Sequence, residues 1–157
     1  MMLLSPTVPV SSDVKILGVT LDSAWSLTKH VGLVSKACYY HIRALRHIRK
    51  SSTHASAKSI ACAIVGSRLD YVNAVLVDDS ESNIKKLQQV QYTLACIITR
   101  QYSYTGTSQS LVTLHWLPIK WRIDFKVATI AYKLLSTGQL SHLASSICLH
   151  VPGRSLR

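Results

Sequence analysis

Extended and helical patterns divide the chain near Thr28. Ahead of that point Pro6 and Pro9 resist helix, and Val14-Lys15-Ile16-Leu17-Gly18-Val19-Thr20-Leu21 is rich in β-branched and apolar side chains. Ser11-Ser12-Asp13 has turn chemistry between the two pieces. The pattern predicts a small hairpin in which Thr7 to Val10 pair with Val14 to Leu21. Two strands alone are marginal, so the rest of the chain has to pack on them.

From Thr28 onward the apolar positions recur at helical spacing. With Lys36 at zero and about 100° per residue, Val31, Val34, Cys38, Ile42, Leu45 and Ile48 fall within about 60° of the opposite pole. Lys29, Lys36, Arg43, His47 and Lys50 fall within about 40° of zero, so this helix carries a basic ridge across from its apolar stripe. Ser51-Ser52-Thr53 can cap a second helix that continues to about Val77, with Ala57, Ile60, Ala61, Ile64, Val72 and Val75 as core candidates and Gly66 as its weak spot. Asp78-Asp79-Ser80 breaks the pattern. A third helix follows with Ile84, Leu87, Val90, Leu94, Ile97 and Ile98 facing inward. Gln101 to Gln109 is polar and turn-rich, and Leu111, Val112, Leu114 and Trp116 imply a short helix that ends before Pro118. A last long helix runs from Ile119 to about Ser136 with Ile123, Val127, Ile130 and Leu134 as its stripe, and Gly138 is its stop. The expected fold is mainly α, a helical bundle preceded by a short β-hairpin. Its divisions are a hairpin over 1–22, a helical domain over 23–136 and a basic tail with a short helix over 137–157.

Composition fits one compact domain, since 48% of the 157 residues are apolar and 16% are charged. Charge changes the picture further. Eighteen Lys and Arg face seven Asp and Glu for a formal net charge of +11, which favours a polyanionic partner, nucleic acid first and an anionic membrane surface second. No acidic residue lies between Asp22 and Asp70, and after Glu81 the only one is Asp124. Two helices therefore offer phosphate-facing cations: Lys29, Lys36, Arg43, His47 and Lys50 on the first, Arg122, Lys126 and Lys133 on the last.

Catalytic chemistry is harder to place. Cys38, Cys62, Cys96 and Cys148 form no CxxC pair, the histidines have no HExxH spacing, and the glycines stand singly, so no zinc site, P-loop or nucleophile elbow is read. Reduced thiols and an intracellular setting are the simpler expectation, with no spanning segment and no signal peptide. Asp78-Asp79 reads as helix capping at a solvated junction. Tyr39 and Tyr40 are read as half-buried packing on a helix flank, and Trp116 and Trp121 as core or hinge packing around Pro118.

Several phrases together resemble the region just downstream of the polymerase palm in reverse transcriptases of non-LTR retrotransposons, of the jockey or chicken-repeat type. They are Lys15-Ile16-Leu17-Gly18-Val19-Thr20-Leu21-Asp22, His30-Val31, and Cys38-Tyr39-Tyr40-His41-Ile42-Arg43-Ala44-Leu45-Arg46-His47-Ile48-Arg49. Ser67-Arg68-Leu69-Asp70-Tyr71-Val72-Asn73, Lys86-Leu87-Gln88-Gln89-Val90-Gln91 and Leu114-His115-Trp116-Leu117-Pro118-Ile119 with Arg122-Ile123 follow in the family's order. The resemblance covers about residues 14 to 157. Val72 departs from the family's usual Cys, and Gln89 stands where a basic residue is common.

The resemblance implies that Leu17, Gly18 and Val19 belong to a hairpin gripping the primer strand. It also implies that the helices form a thumb closing on an RNA and DNA template–primer duplex. Nucleotidyl transfer needs carboxylates that hold two metal ions, and the family draws them from a palm preceding Leu17. The chain is therefore expected to have no catalytic residue, metal site or cofactor of its own, to bind nucleic acid without polymerising, and to join a palm domain in a longer parent protein. Nuclear residence follows from the family alone. The competing expectation is an inactive transposon relic, or a helical protein-interaction module without nucleic-acid function.

Overall fold

The structure is a computed structural model and describes residues 11–101, 107–138 and 143. A two-stranded antiparallel hairpin, β1 (Asp13–Ile16) and β2 (Val19–Asp22), precedes a helical bundle. The helices are α1 (Thr28–Ile48), α2 (His54–Ala61), α3 (Ser67–Asp70), α4 (Glu81–Thr99), α5 (Thr107–Leu114) and α6 (Ile119–Thr137). The fold class is the one the hydrophobic pattern implies.

The hairpin differs in detail. Val14 to Leu21 does not form one strand but folds back on itself, pairing Asp13 with Asp22 and Ile16 with Val19. The turn is Leu17-Gly18, both with positive φ, +47° and +83°. That combination matches the right-handed twist of adjoining strands, but Leu in the first position is strained where Asn or Asp is usual. Thr7 to Val10, expected as the partner strand, lie outside the described residues, as does most of the tail expected over 137–157.

α4 is the axis of the bundle, and α1, α2, α5 and α6 all pack on it. Leu87, Val90, Leu94, Ala95, Ile97 and Ile98 are buried, as the spacing predicts, and Ile84 is packed against the same core. Ser80 caps its start by accepting from the Asn83 amide at 3.3 Å, and Asp79 accepts from the Ser80 amide at 2.7 Å and from Asn83 Nδ2. The N-cap is thus Ser80, and of the Asp78-Asp79 pair it is Asp79 that supports the cap.

α1 lies parallel to α4. Thr28 Oγ1 meets Asn83 Nδ2 at 3.2 Å where both helices begin, and Arg49 meets Ile98 where both end. Parallel neighbours bring two carbonyl-rich, partially negative C-termini together. Arginines exchanged between the helices answer this. Arg49, only 7% exposed, donates from Nε and Nη2 to the Ile98 carbonyl at 3.0 and 2.7 Å and from Nη1 to the Ser52 carbonyl at 2.9 Å. In return Arg100 Nη2 donates to the Arg49 carbonyl at 3.0 Å.

The second helix is shorter than its pattern suggests. Thr53 caps α2 through the Ser56 amide at 3.1 Å, but a π-helical stretch, Cys62–Gly66, interrupts it and α3 stops at Asp70. Ala57, Ala61, Val65 and Leu69 form the buried line, leaving Ile64 and Val75 exposed. Four-residue spacing drifts around an α-helix by about 40° per step. The wider π turn slows that drift and keeps Val65 and Leu69 inward. Beyond α3, Val72 takes a left-handed conformation (φ +53°) and a short 3-10 turn, Asn73–Leu76, replaces the expected continuation to Val77.

Removing the Arg49 fork by Arg49→Ala leaves the Ile98 carbonyl without its donors. The expected loss is about 2–3 kcal/mol of stability, read as a lower midpoint in chemical denaturation. Arg49→Lys, which has no planar fork, is expected to restore only part of it. Thiol labelling checks the core independently. Cys38 is fully buried and its thiol is pushed up to about 11 by burial, against a smaller pull from Arg68, whereas Cys62 is exposed. Cys62 is expected to react with a thiol reagent in the folded protein at neutral pH and Cys38 only after unfolding.

Candidate nucleic-acid interface

The solvent side of α1 is built by the same periodicity that buries its core. Val31, Cys38, Ile42 and Leu45 are buried, so Lys36, Arg43, His47 and Lys50 on the opposite arc are exposed. From Lys36 to His47 the ridge runs about 16.5 Å along the helix, and Lys50 is exposed in the turn that follows Ile48. Ile48, expected in the buried stripe, is 45% exposed because Arg49 takes the inward place at the end of the helix. α1 contains no acidic residue, and among the described residues no ion pair involves Lys36, Arg43 or Lys50.

Two members of the expected set are engaged elsewhere. Lys29 Nζ pairs with the Asp13 carboxylate, tying the start of α1 to β1. Arg122, read from the sequence as a phosphate contact, makes a two-pronged ion pair with Asp70: Nε donates to Oδ1 at 2.8 Å and Nη2 to Oδ2. Its guanidinium fastens α6 to the end of α3 and leaves Lys126 and Lys133 as the exposed cations of that face. α1 and α6 both pack on α4.

Tyr40 was not counted in the ridge, yet it is 70% exposed and lies about 40° from Lys36 on the helix, beside the cations. Its ring meets His41 edge-on at 5.3 Å between centroids. The reading of Tyr40 as half-buried packing is thus corrected, while Tyr39 is at the margin of exposure. His30, next to Lys29, is buried, and desolvation lowers its pKa below 6.5, which favours the neutral imidazole and keeps it out of the cationic set.

At the hairpin, Val19 is buried, and Leu17 projects from the tip with 83% of its surface exposed. Tyr71 fixes the tip by donating its hydroxyl proton to the Leu17 carbonyl at 2.8 Å, and a Cβ on Gly18 would meet that ring at 3.4 Å. Leu17, Gly18 and Val19 are therefore held against the end of α3, away from the cations of α1 that lie nearer its far end.

Sequence phrases far apart in the chain meet through side-chain hydrogen bonds. Gln88 Oε1 accepts from the Ile119 amide at 2.8 Å, Gln91 Nε2 donates to the Leu117 carbonyl at 2.8 Å, and the two glutamines bond each other at 2.9 Å. The pair thereby seats Leu117-Pro118-Ile119 and satisfies an amide at the start of α6. Asp70–Arg122 and Tyr71–Leu17 make the other two links.

Among the described residues no group of three or more His, Cys, Asp or Glu is placed to hold a metal ion, and no helix is long and apolar enough to cross a membrane. No protein-family model, curated protein or solved structure matches this chain.

Proposed function

We propose that this chain is the primer-grip and thumb portion of a non-LTR retrotransposon reverse transcriptase and that it binds the backbone of an RNA and DNA template–primer duplex through α1. The observation that carries the reading is an acid-free helix whose exposed arc holds Lys36, Arg43 and His47, with Lys50 in the turn just after it, without a paired carboxylate at the lysines or the arginine, on a protein of net charge +11. Such a ridge needs no base-specific groups, because phosphate contacts supply affinity and position without reading sequence.

The resemblance adds support through its quoted phrases, which lie far apart in the chain and are joined by Leu17–Tyr71, Asp70–Arg122 and the Gln88–Gln91 pair. In the family's scheme Leu17-Gly18-Val19 is the primer-grip turn, and its exposed, strained tip suits a contact outside the chain. The catalytic carboxylates and their divalent metals would come from a palm ahead of that turn.

A second reading, a helical protein-interaction module or an inactive relic, is favoured by a different surface. Val14, Ile16 and Trp25 of the hairpin region are each more than half exposed and border a groove of about 310 Å³. Self-association without measurable nucleic-acid binding is its signature.

Binding of a labelled RNA and DNA hybrid duplex across a salt series tests the first reading. Affinity is expected to fall with salt with a log–log slope near −3, as for about three or four neutralised phosphates. The combined variant Lys36→Glu, Arg43→Glu, Lys50→Glu is expected to weaken binding at least about thirtyfold at low salt while leaving the helical circular dichroism unchanged. Salt-independent binding, or binding that survives the triple reversal, overturns the assignment of α1.

A further inference from the structure

Exposed aromatic rings occur on both α1 and α6, but their electrostatic settings differ. On α6, Trp121, read from the sequence as core or hinge packing, is 62% exposed and shares an arc with Phe125 and Tyr132 that lies nearer Asp124 than Lys126 or Lys133. Tyr40 stands among cations instead. It is 70% exposed on a helix without an acid. At about 100° per residue it lies about 40° from Lys36, about 60° from Arg43 and about 20° from His47. Along the axis it follows Lys36 by about 6 Å and precedes Arg43 by about 4.5 Å, so the ring is set into the cationic row.

The hydroxyl of this ring is available. Among the described residues it makes no hydrogen bond within the chain, whereas the Tyr71 hydroxyl is engaged by the Leu17 carbonyl. The His41 ring meets Tyr40 edge-on at 5.3 Å with 81° between the planes, which restricts the swing of the phenol. Side chains on a helix lean toward its N-terminus, and Tyr40 accordingly leans toward Lys36.

We propose that Tyr40 makes α1 selective for the RNA strand of a duplex, through a hydrogen bond between its hydroxyl and a ribose 2′-hydroxyl. The inference rests on the reading of α1 as a surface for a duplex backbone and adds which strand it follows. When Lys36 and Arg43 hold phosphates of one strand, the sugar that joins those phosphates lies between the two cations, where Tyr40 is. Deoxyribose has no 2′ group to offer the phenol. Ribose has a hydroxyl that both donates and accepts, as the phenol does. A-form duplexes display these hydroxyls in a wide, shallow minor groove that a helix surface can approach. Stacking is not the use of the ring here, because paired bases have no free face. An apolar partner is disfavoured by the three cations around the ring, and an acidic peptide answers the cations without a specific use for the hydroxyl.

The test measures, by anisotropy on the whole chain at fixed salt, the binding of two labelled hybrids of about 16 base pairs and one sequence. One has a ribose strand, and the other a 2′-fluoro strand that keeps the charge and the A-form shape but lacks the hydroxyl. Wild-type protein is expected to bind the ribose hybrid at least about threefold more tightly, as for one hydrogen bond. Tyr40→Phe, which removes only the hydroxyl at an exposed position, is expected to erase that difference while keeping the salt slope and the helical circular dichroism. Equal binding of the two hybrids by wild type overturns the proposal, and so does a Tyr40→Phe variant that keeps the preference. A preference lost in Tyr40→Ala but not in Tyr40→Phe makes the ring the contact and overturns it as well. Where both hybrids bind equally with a salt slope near −3 and the triple reversal abolishes binding, the α1 assignment stands and this one fails. Absence of binding to either hybrid removes both.

Discussion

Two long helices lying parallel impose the main electrostatic constraint on this protein. α1 and α4 begin together at Thr28 and Asn83 and end together at Arg49 and Ile98, so their partial negative charges accumulate at one end of the bundle. A buried guanidinium fixed on three carbonyl contacts is well suited to that place, because its donors are planar, fixed and permanently charged. The chain has to travel back along the pair to reach the start of α4. α2, the π-helical stretch, α3 and the 3-10 turn make that return, and the left-handed Val72 is part of the bend that completes it.

Around α4 the packing is completed by polar side chains at particular joints. Gln88 and Gln91 lie on a helix whose neighbouring positions are apolar, yet they hold the Leu117–Ile119 segment and fix where α6 starts. Asp70 and Arg122 then set α6 against α3, and Tyr71 sets the hairpin against the same place. Each of these groups is spent on architecture. This removes Lys29 and Arg122 from the cations that α1 and α6 present without a carboxylate partner.

The two surfaces differ in chemistry as well as position. α1 offers charge with one adjacent tyrosine, which under the proposed function would meet a regular backbone whose bases are hidden in pairs. α6 instead presents the exposed rings of Trp121, Phe125 and Tyr132.

Hydrophobic periodicity by itself determined the mainly helical fold, the inward faces of α1 and α4, the cap at Thr53 and the stop at Gly138, because each depends on residues within a few turns of one another. It also placed the basic ridge, since what lies opposite a buried stripe faces solvent. Tertiary structure decided the rest. The extended run from Val14 to Leu21 contained its own turn, which only pairing across Leu17-Gly18 defines. The second helix ended early because a π stretch and the return to α4 override its local pattern. Arg122 looked like a free cation until Asp70, distant in sequence, was brought beside it. Trp121 looked like core because large aromatics usually are, and its exposure depends on which arc of α6 meets α4. Pairwise partners separated by fifty residues leave no periodic trace, so only the folded chain shows which charges and rings remain available to a ligand.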